Sequence, residues 1–403
     1  MRIAARVLVL LVMMWPGLAM AQCLTPQVLP SGPSITQCGN PEFRRCSMSI
    51  AGIQRFYCIH VPDTVAPNET PPVTLAFHGA AGTVRNSVAW LDKHTQQGVV
   101  LIAPAALPST DECVLSWRHL ARERIPNWAT FGAADTCPTQ IGPWPAGSPN
   151  RNDLDFTDRL LDRIEAKFEG SKRYAMGFSN GAGFVMQLLI TQPLTERFAG
   201  FAMIANGMNR TKSRAQQQGG SIGPYSANTE IRRPTMLIWG TSDKYILPAE
   251  LMIEEVLRLS SMTTPPEGCD LPLDTPAAVI GCLMRGRIRP NQNQHAFASR
   301  IELTRAWLVN FNRAFPRAVE GLYPDRGHGD GQPEDETMVT RRDYLPLANG
   351  EPVSVLTIVN GRHNVPGKDG AHPNCPSGSC DINAIEEIFQ FWRAHAGFRN
   401  LWR

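Results

Sequence analysis

Short apolar runs closed by glycine or proline alternate along this chain with longer segments whose apolar residues recur every three or four positions. The first pattern predicts buried strands and the second amphipathic helices. Val73-Thr74-Leu75-Ala76-Phe77 and Val99-Val100-Leu101-Ile102-Ala103-Pro104 read as inner strands, and residues 53–61 alternate as a half-buried strand does. Leu154, Leu160, Leu161, Ile164 and Phe168 stand at helical spacing, and Gly170 follows as a C-cap glycine would. A strand through Tyr174, Ala175 and Met176 then enters a Gly-rich turn and the helical pattern Phe184-Val185-Met186-Gln187-Leu188-Leu189. Further strands are expected over 198–204 and 233–240, and helices over 248–259 and 296–315. Residues 338–344 and 353–359 predict a hairpin turning at Asn349-Gly350, and an amphipathic helix over 382–394 ends the pattern. Strands alternating with helices predict an α/β fold: a mostly parallel sheet with helices on both faces.

Where the pattern breaks, the breaks carry information. Arg2 and Arg6, the apolar run from Val7 to Met14 and the small-x-small triplet Ala19-Met20-Ala21 read as a signal peptide over 1–21, with cleavage expected after Ala21. That run is too short to span a bilayer, and no other stretch is a transmembrane candidate. Gln22 stands before Cys23, where lipoprotein processing wants a small residue, so a soluble secreted or periplasmic protein is expected. Residues 22–60 are rich in Pro, Gly, Ser and Cys and read as an N-terminal extension before a catalytic domain over 61–403. The stretch 105–152, with Trp117, Trp128 and Trp144, is too long for a simple connection. An insertion of about 248–295 follows the strand at 233–240.

Ten cysteines, all beyond Ala21, make disulfides the default in an exported chain. Local pairing is expected among Cys23, Cys38, Cys46 and Cys58, and for Cys113 with Cys137, Cys269 with Cys282 and Cys375 with Cys380. No C-x-x-C pair exists, so no metal site is expected. The 403 residues, 43% hydrophobic, allow a sizeable core. With 39 basic against 36 acidic residues the net charge is +3, which removes the electrostatic case for nucleic acid or a polyanionic substrate.

The candidate chemistry centres on Gly177-Phe178-Ser179-Asn180-Gly181. A G-x-S-x-G pentad between a strand and a helix holds its serine on a sharp turn, and a Cβ at either glycine would collide with the strand or the helix. Gly219-Gly220-Ser221-Ile222-Gly223 matches the same pattern, but polar residues precede it and Pro224 follows, so it reads as a surface loop. A serine hydroxyl needs a base, and a histidine base needs a carboxylate to fix its tautomer. The expected chain order is serine, acid, histidine, each on a loop after a strand. Asp243, just past the strand at 233–240, fits the acid better than Asp270 or Asp274 inside the insertion. His363, past the strand at 353–359 and flanked by Gly361 and Pro366-Gly367, fits the base better than His328, His372 or His395. For an oxyanion hole the backbone N–H groups of Asn180 and of Ala80, in the turn His78-Gly79-Ala80-Ala81-Gly82, are the candidates, with His78 bracing that turn. Phe178 and Trp117 are candidate substrate-binding residues.

These segments together resemble the secreted polyhydroxybutyrate depolymerase and feruloyl esterase family. The resemblance rests on Gly177 to Ala182, the His78-Gly79-Ala80 turn, Gly240-Thr241-Ser242-Asp243 and Asn360-Gly361-Arg362-His363-Asn364-Val365-Pro366-Gly367. Asn152-Asp153-Leu154-Asp155-Phe156 also looks like the family's acidic helix start. The resemblance implies an α/β-hydrolase fold and a serine esterase using Ser179, Asp243 and His363 without metal or cofactor. Its substrates would be hydroxyalkanoate oligomers or polymer, or feruloyl or acetyl esters of polysaccharide. The chain departs from the family where Ala80 stands in place of its cysteine and where no tryptophan follows the histidine, and the Cys-rich N-terminus and a segment over 263–289 are not part of the family's usual core. A peptidase of the same fold and a catalytically silent exported binding protein stay open as alternatives, the first weakened by the absence of an N-terminal propeller.

Overall fold

The computed structural model describes residues 38–65, 69–79, 82–106, 149–206, 221–222, 225–228, 230–241, 243, 304–323, 337–367 and 381–398. The leader, Ala80, Trp117, Trp128, Trp144, the 248–295 insertion, Asp270, Asp274, His328, His372 and the cysteines at 23, 113, 137, 269, 282, 375 and 380 lie outside them. In chain order the strands are β1 (Arg44–Ile50), β2 (Ile53–His60), β3 (Val73–Phe77), β4 (Val100–Pro104), β5 (Arg173–Phe178), β6 (Thr191–Gln192), β7 (Gly200–Ile204), β8 (Ser221–Ile222), β9 (Tyr225–Ala227), β10 (Thr235–Gly240), β11 (Val319–Leu322), β12 (Met338–Tyr344) and β13 (Val353–Val359). The helices include α1 (Val84–Leu91), α2 (Pro149–Lys167), α3 (Asn180–Leu189) and α4 (Ala384–His395).

A 10-stranded sheet runs β1-β2-β4-β3-β5-β7-β10-β13-β12-β11. From β4 to β13 all neighbours are parallel, while β1-β2, β2-β4 and the terminal β13-β12-β11 ladder are antiparallel. The parallel strands are buried on both faces, which is why β4 and β7 read as unbroken apolar runs and β3 as one interrupted only by the buried Thr74. The alternating 53–61 segment is β2, and its antiparallel partner β1 had no counterpart in the apolar pattern. Cys38 and Cys58 form a disulfide across 20 residues, within the set expected to pair, and Cys46 is disulfide-bonded too.

Helices cover both faces. Tyr174 packs on Trp392 of α4 with ring centres 4.9 Å apart, and Phe77 packs on Phe184 of α3 at 5.2 Å. Phe77 pairs with Gly177, three residues beyond Tyr174, so the period of two along a strand puts these contacts on opposite faces. α3 is apolar nearly all round and buried along its length, as a helix gripped between a sheet and its cover must be. Ser221, expected in a surface loop, instead lies in β8, which joins β9 and β6 in a separate 3-stranded sheet. The short β8–β9 pairing supplies its backbone with partners that the polar sequence around it gave no sign of.

Two consequences position the site. β3 leads to β4 on one side, and β4 crosses back to β5 on the other, so strand order reverses between β3 and β5. A reversal of this kind opens a crevice at the carboxyl ends of the two strands. The loops that leave β3, β5, β10 and β13 all emerge at that same end of the parallel sheet.

Candidate active site

Ser179 sits between β5 and α3 with φ 54° and ψ −118°, outside the regions L-residues prefer. The flanking glycines make that turn possible. A Cβ on Gly177 would fall 2.5 Å from the Gly181 carbonyl, and one on Gly181 would fall 2.1 Å from the Phe77 carbonyl oxygen. The strained residue is held from both sides: the Ser179 N–H donates to the Ile204 carbonyl at 2.8 Å, and Asn206 Nδ2 donates to the Ser179 carbonyl, also at 2.8 Å. Strain of this kind costs about 1–3 kcal/mol and persists only where surroundings over-determine it.

The loops after β10 and β13 bring the acid and histidine candidates to this serine. His363 Nε2 lies 2.8 Å from Ser179 Oγ, and His363 Nδ1 lies 2.6 Å from Asp243 Oδ2. The Asp243 side chain is wholly buried and that of His363 is 14% exposed, so the carboxylate is dry and the imidazole open on one side. A carboxylate accepts only, so Nδ1 carries the proton in this bond and Nε2 is left to take one from the hydroxyl. The two loops are stitched together. Asn360 N–H donates to Thr241 Oγ1 at 2.8 Å, Thr241 N–H donates to the Ile358 carbonyl at 2.9 Å, and a Cβ on Gly240 would fall 2.3 Å from the Gly361 carbonyl.

Phe178, expected to touch substrate, lies with its ring 4.8 Å from that of His363 and 5.8 Å from that of Trp90 in α1. Its ring is partly buried and in contact with the imidazole. Asn180 opens α3, whose first-turn N–H groups carry the positive end of the helix dipole. The turn after β3 packs on the serine: a Cβ on Gly79 would lie 3.1 Å from the Phe178 ring and 3.3 Å from Ser179 Cβ. His78, 1% exposed, braces it as expected. Ala106 N–H donates to His78 Nε2 at 3.1 Å, so Nδ1 bears the proton and donates to the Gly79 carbonyl at 2.9 Å. Burial pushes the His78 pKa down to about 4, which keeps this tautomer neutral.

Asn206 escaped the sequence reading, because a lone polar residue after a strand carries no motif, and Thr241, although part of the Gly240 to Asp243 segment, had no role assigned to it there. Among the described residues no group of His, Cys, Asp and Glu is placed to hold a metal ion. A serine hydroxyl hydrogen-bonded to an oriented imidazole can lose its proton to that ring as it attacks an electrophilic carbon.

No protein-family model matches the chain, and no curated protein matches it. Solved structures do. A thermostable esterase is 18% identical with a TM-score of 0.33, over 52% of this chain and 49% of that one. An S-formylglutathione hydrolase from Agrobacterium tumefaciens is 15% identical with a TM-score of 0.33, over 50% and 76%. The siderophore hydrolase EstB from Aspergillus nidulans is 15% identical with a TM-score of 0.35, over 72% and 85%. The fold rests on the topology itself. A sheet in the order β1-β2-β4-β3-β5-β7-β10-β13, in which only β2 runs against the other strands and a serine turn follows β5, gives this chain the α/β-hydrolase fold.

Proposed function

We propose that this chain is an exported serine esterase that hydrolyses carboxylic esters through an acyl-enzyme on Ser179. The observation that carries the reading is the unbroken hydrogen-bonded sequence Asp243, His363, Ser179, drawn from three different loops at one end of the sheet. In the first half-reaction Ser179 Oγ attacks the ester carbonyl and its proton passes to His363 Nε2. Asp243 stabilises the imidazolium. The tetrahedral oxyanion is bound by the N–H groups of Asn180 and Ala80, and its collapse breaks the ester bond as His363 protonates the leaving alkoxide. Water then gives its proton to His363, attacks the acyl carbon and releases the acid. The proton returns to Ser179.

The substrate class follows from the resemblance to polyhydroxybutyrate depolymerases and feruloyl esterases: hydroxyalkanoate oligomers or polymer, or feruloyl or acetyl esters of polysaccharide. The near-balanced charge agrees with a neutral ester, and the Cys38–Cys58 disulfide with an oxidising compartment outside the cytoplasm. The test compares oxidised wild type with Ser179→Ala and His363→Ala on short-chain p-nitrophenyl esters, poly(3-hydroxybutyrate) and methyl ferulate. Hydrolysis by wild type and its loss in both variants are expected. A folded wild type inert on all three and unreactive toward a phosphonate ester would sink the reading.

A further inference from the structure

A buried polar chain approaches the turn after β3 from behind, and the proton transfers just described do not use it. Asp153 in α2 is 2% exposed and accepts from Arg55 Nη2 of β2 at 2.6 Å. The Arg55 side chain is wholly buried, with its guanidinium carbon 4.2 Å above the centre of the Phe156 ring. The same Nη2 donates to the Ala105 carbonyl at 3.1 Å. The other edge of that peptide plane, the Ala106 N–H, is the group that donates to His78 Nε2. His78 Nδ1 closes the chain on the Gly79 carbonyl, which also accepts from the Gly82 N–H at 3.0 Å.

The geometry has a mechanical reading. A peptide unit is planar and stiff, so gripping its carbonyl fixes the direction of its N–H. Arg55 grips the carbonyl of the peptide whose N–H donates to His78. A buried ion pair is seldom retained for stability alone, since apolar residues of similar volume often serve as well or better. Apolar residues cannot hold the Ala105 carbonyl. We infer that Arg55 and Asp153 are positioning residues for the oxyanion-binding turn, acting through the Ala105–Ala106 peptide and His78 to hold Gly79 against Ser179. The assignment rests on the esterase reading above. It also gives a role to Asp153, the fifth residue of α2, which anchors a guanidinium 98 residues earlier in the chain.

The test replaces the pair by apolar residues, Arg55→Met with Asp153→Leu, in the full oxidised protein. Competent serines are counted by phosphonate titration, and kcat and KM are then measured on a p-nitrophenyl ester. Displacing oxyanion donors by a fraction of an ångström to 1 Å lowers kcat per titrated site by about tenfold to a hundredfold, with KM held within about twofold. The same pair of changes in a His78→Leu background has little further effect, because the path is already cut. Should the double variant not accumulate folded, Arg55→Lys gives the same readout: its ammonium is one bond short of spanning both acceptors, and kcat falls while KM stays. Unchanged kcat per titrated site, or losses that multiply in the His78→Leu background, would overturn the inference and leave the esterase reading standing. Wild type without Ser179-dependent hydrolysis would overturn both.

Discussion

Adding one methyl group at Gly181 tests the geometry of the serine turn most sharply. Its Cβ would stand 2.1 Å from the Phe77 carbonyl oxygen and 2.5 Å from that of His78, whereas real Cβ contacts essentially never fall below 3.0 Å. Relief therefore requires α3 and the end of β3 to part by about 0.9 Å, and both obstructing atoms are backbone, so neither yields by changing rotamer. Ser179 precedes α3 by one residue and moves with it, while His363 is held by the β10 and β13 loops. The 2.8 Å hydrogen bond between them then stretches to about 3.7 Å, beyond hydrogen-bond reach. Misplacement of about 1 Å costs roughly a hundredfold in kcat, or about 2.7 kcal/mol of activation free energy. Overpacking adds about 1–3 kcal/mol of destabilisation. The assay pairs thermal unfolding with kcat per phosphonate-titrated site, and Gly321→Ala is the control because a Cβ there meets nothing within 4 Å. Gly181→Ala with wild-type kcat and wild-type Tm would refute the steric account of the turn.

Asp243→Asn presents a donor to His363 Nδ1 and favours the wrong tautomer, so kcat should fall by about 10⁴ with little change in KM; steady-state kinetics showing less than a tenfold loss would contradict the role given to Asp243. Burial pushes the pKa of both His78 and His94 down to about 4, against 6.5 in the unfolded chain. The unfolded chain therefore binds more protons, and the stability from keeping these rings neutral is whole above pH 6.5 and is lost as pH falls toward 4, about 3 kcal/mol for each ring. Urea unfolding at several pH values should show this slope, and His94→Leu should flatten it; an unchanged slope in that variant would exclude His94 as a source. Asn383 caps α4, its side-chain oxygen accepting from the Ile385 and Glu386 N–H groups, and Asn383→Ala should cost about 1 kcal/mol in chemical denaturation. Replacing both Cys38 and Cys58 by Ser frees a loop of 20 residues, and should cost about 3 kcal/mol in the same assay.

Much of this protein was legible because its instructions are local. The serine turn needs only the five residues Gly177 to Gly181, since the collisions that demand glycine arise between a strand end and the helix that follows it. β3, β4, β10 and β13 announced themselves as apolar runs because a parallel strand is covered on both faces. Asp243 and His363 could be picked from rivals by their place after such strands. The misses are of another kind. β1, with Arg44 and Arg45 at its start, and β11, exposed throughout, lie toward the sheet's margins, where pairing rather than burial makes a strand. α1 carries Arg85, Asn86 and Ser87 within its 8 residues, too polar a stretch to stand out from loop.

Periodicity and steric exclusion act over a few residues, so the order of amino acids was enough to set the alternation of elements, the sharp turn at Ser179 and the identity of its candidate partners. Only the folded chain settled the strand order and hence the crevice between β3 and β5, the 2.6 and 2.8 Å contacts among residues up to 184 apart, and the burial of Arg55 against Asp153. A charge in mid-strand reads as a solvated face until a helix from elsewhere in the chain covers it. Which residues meet across such distances depends on how the chain pays its loop entropy to pair one strand rather than another, and no local pattern encodes that choice.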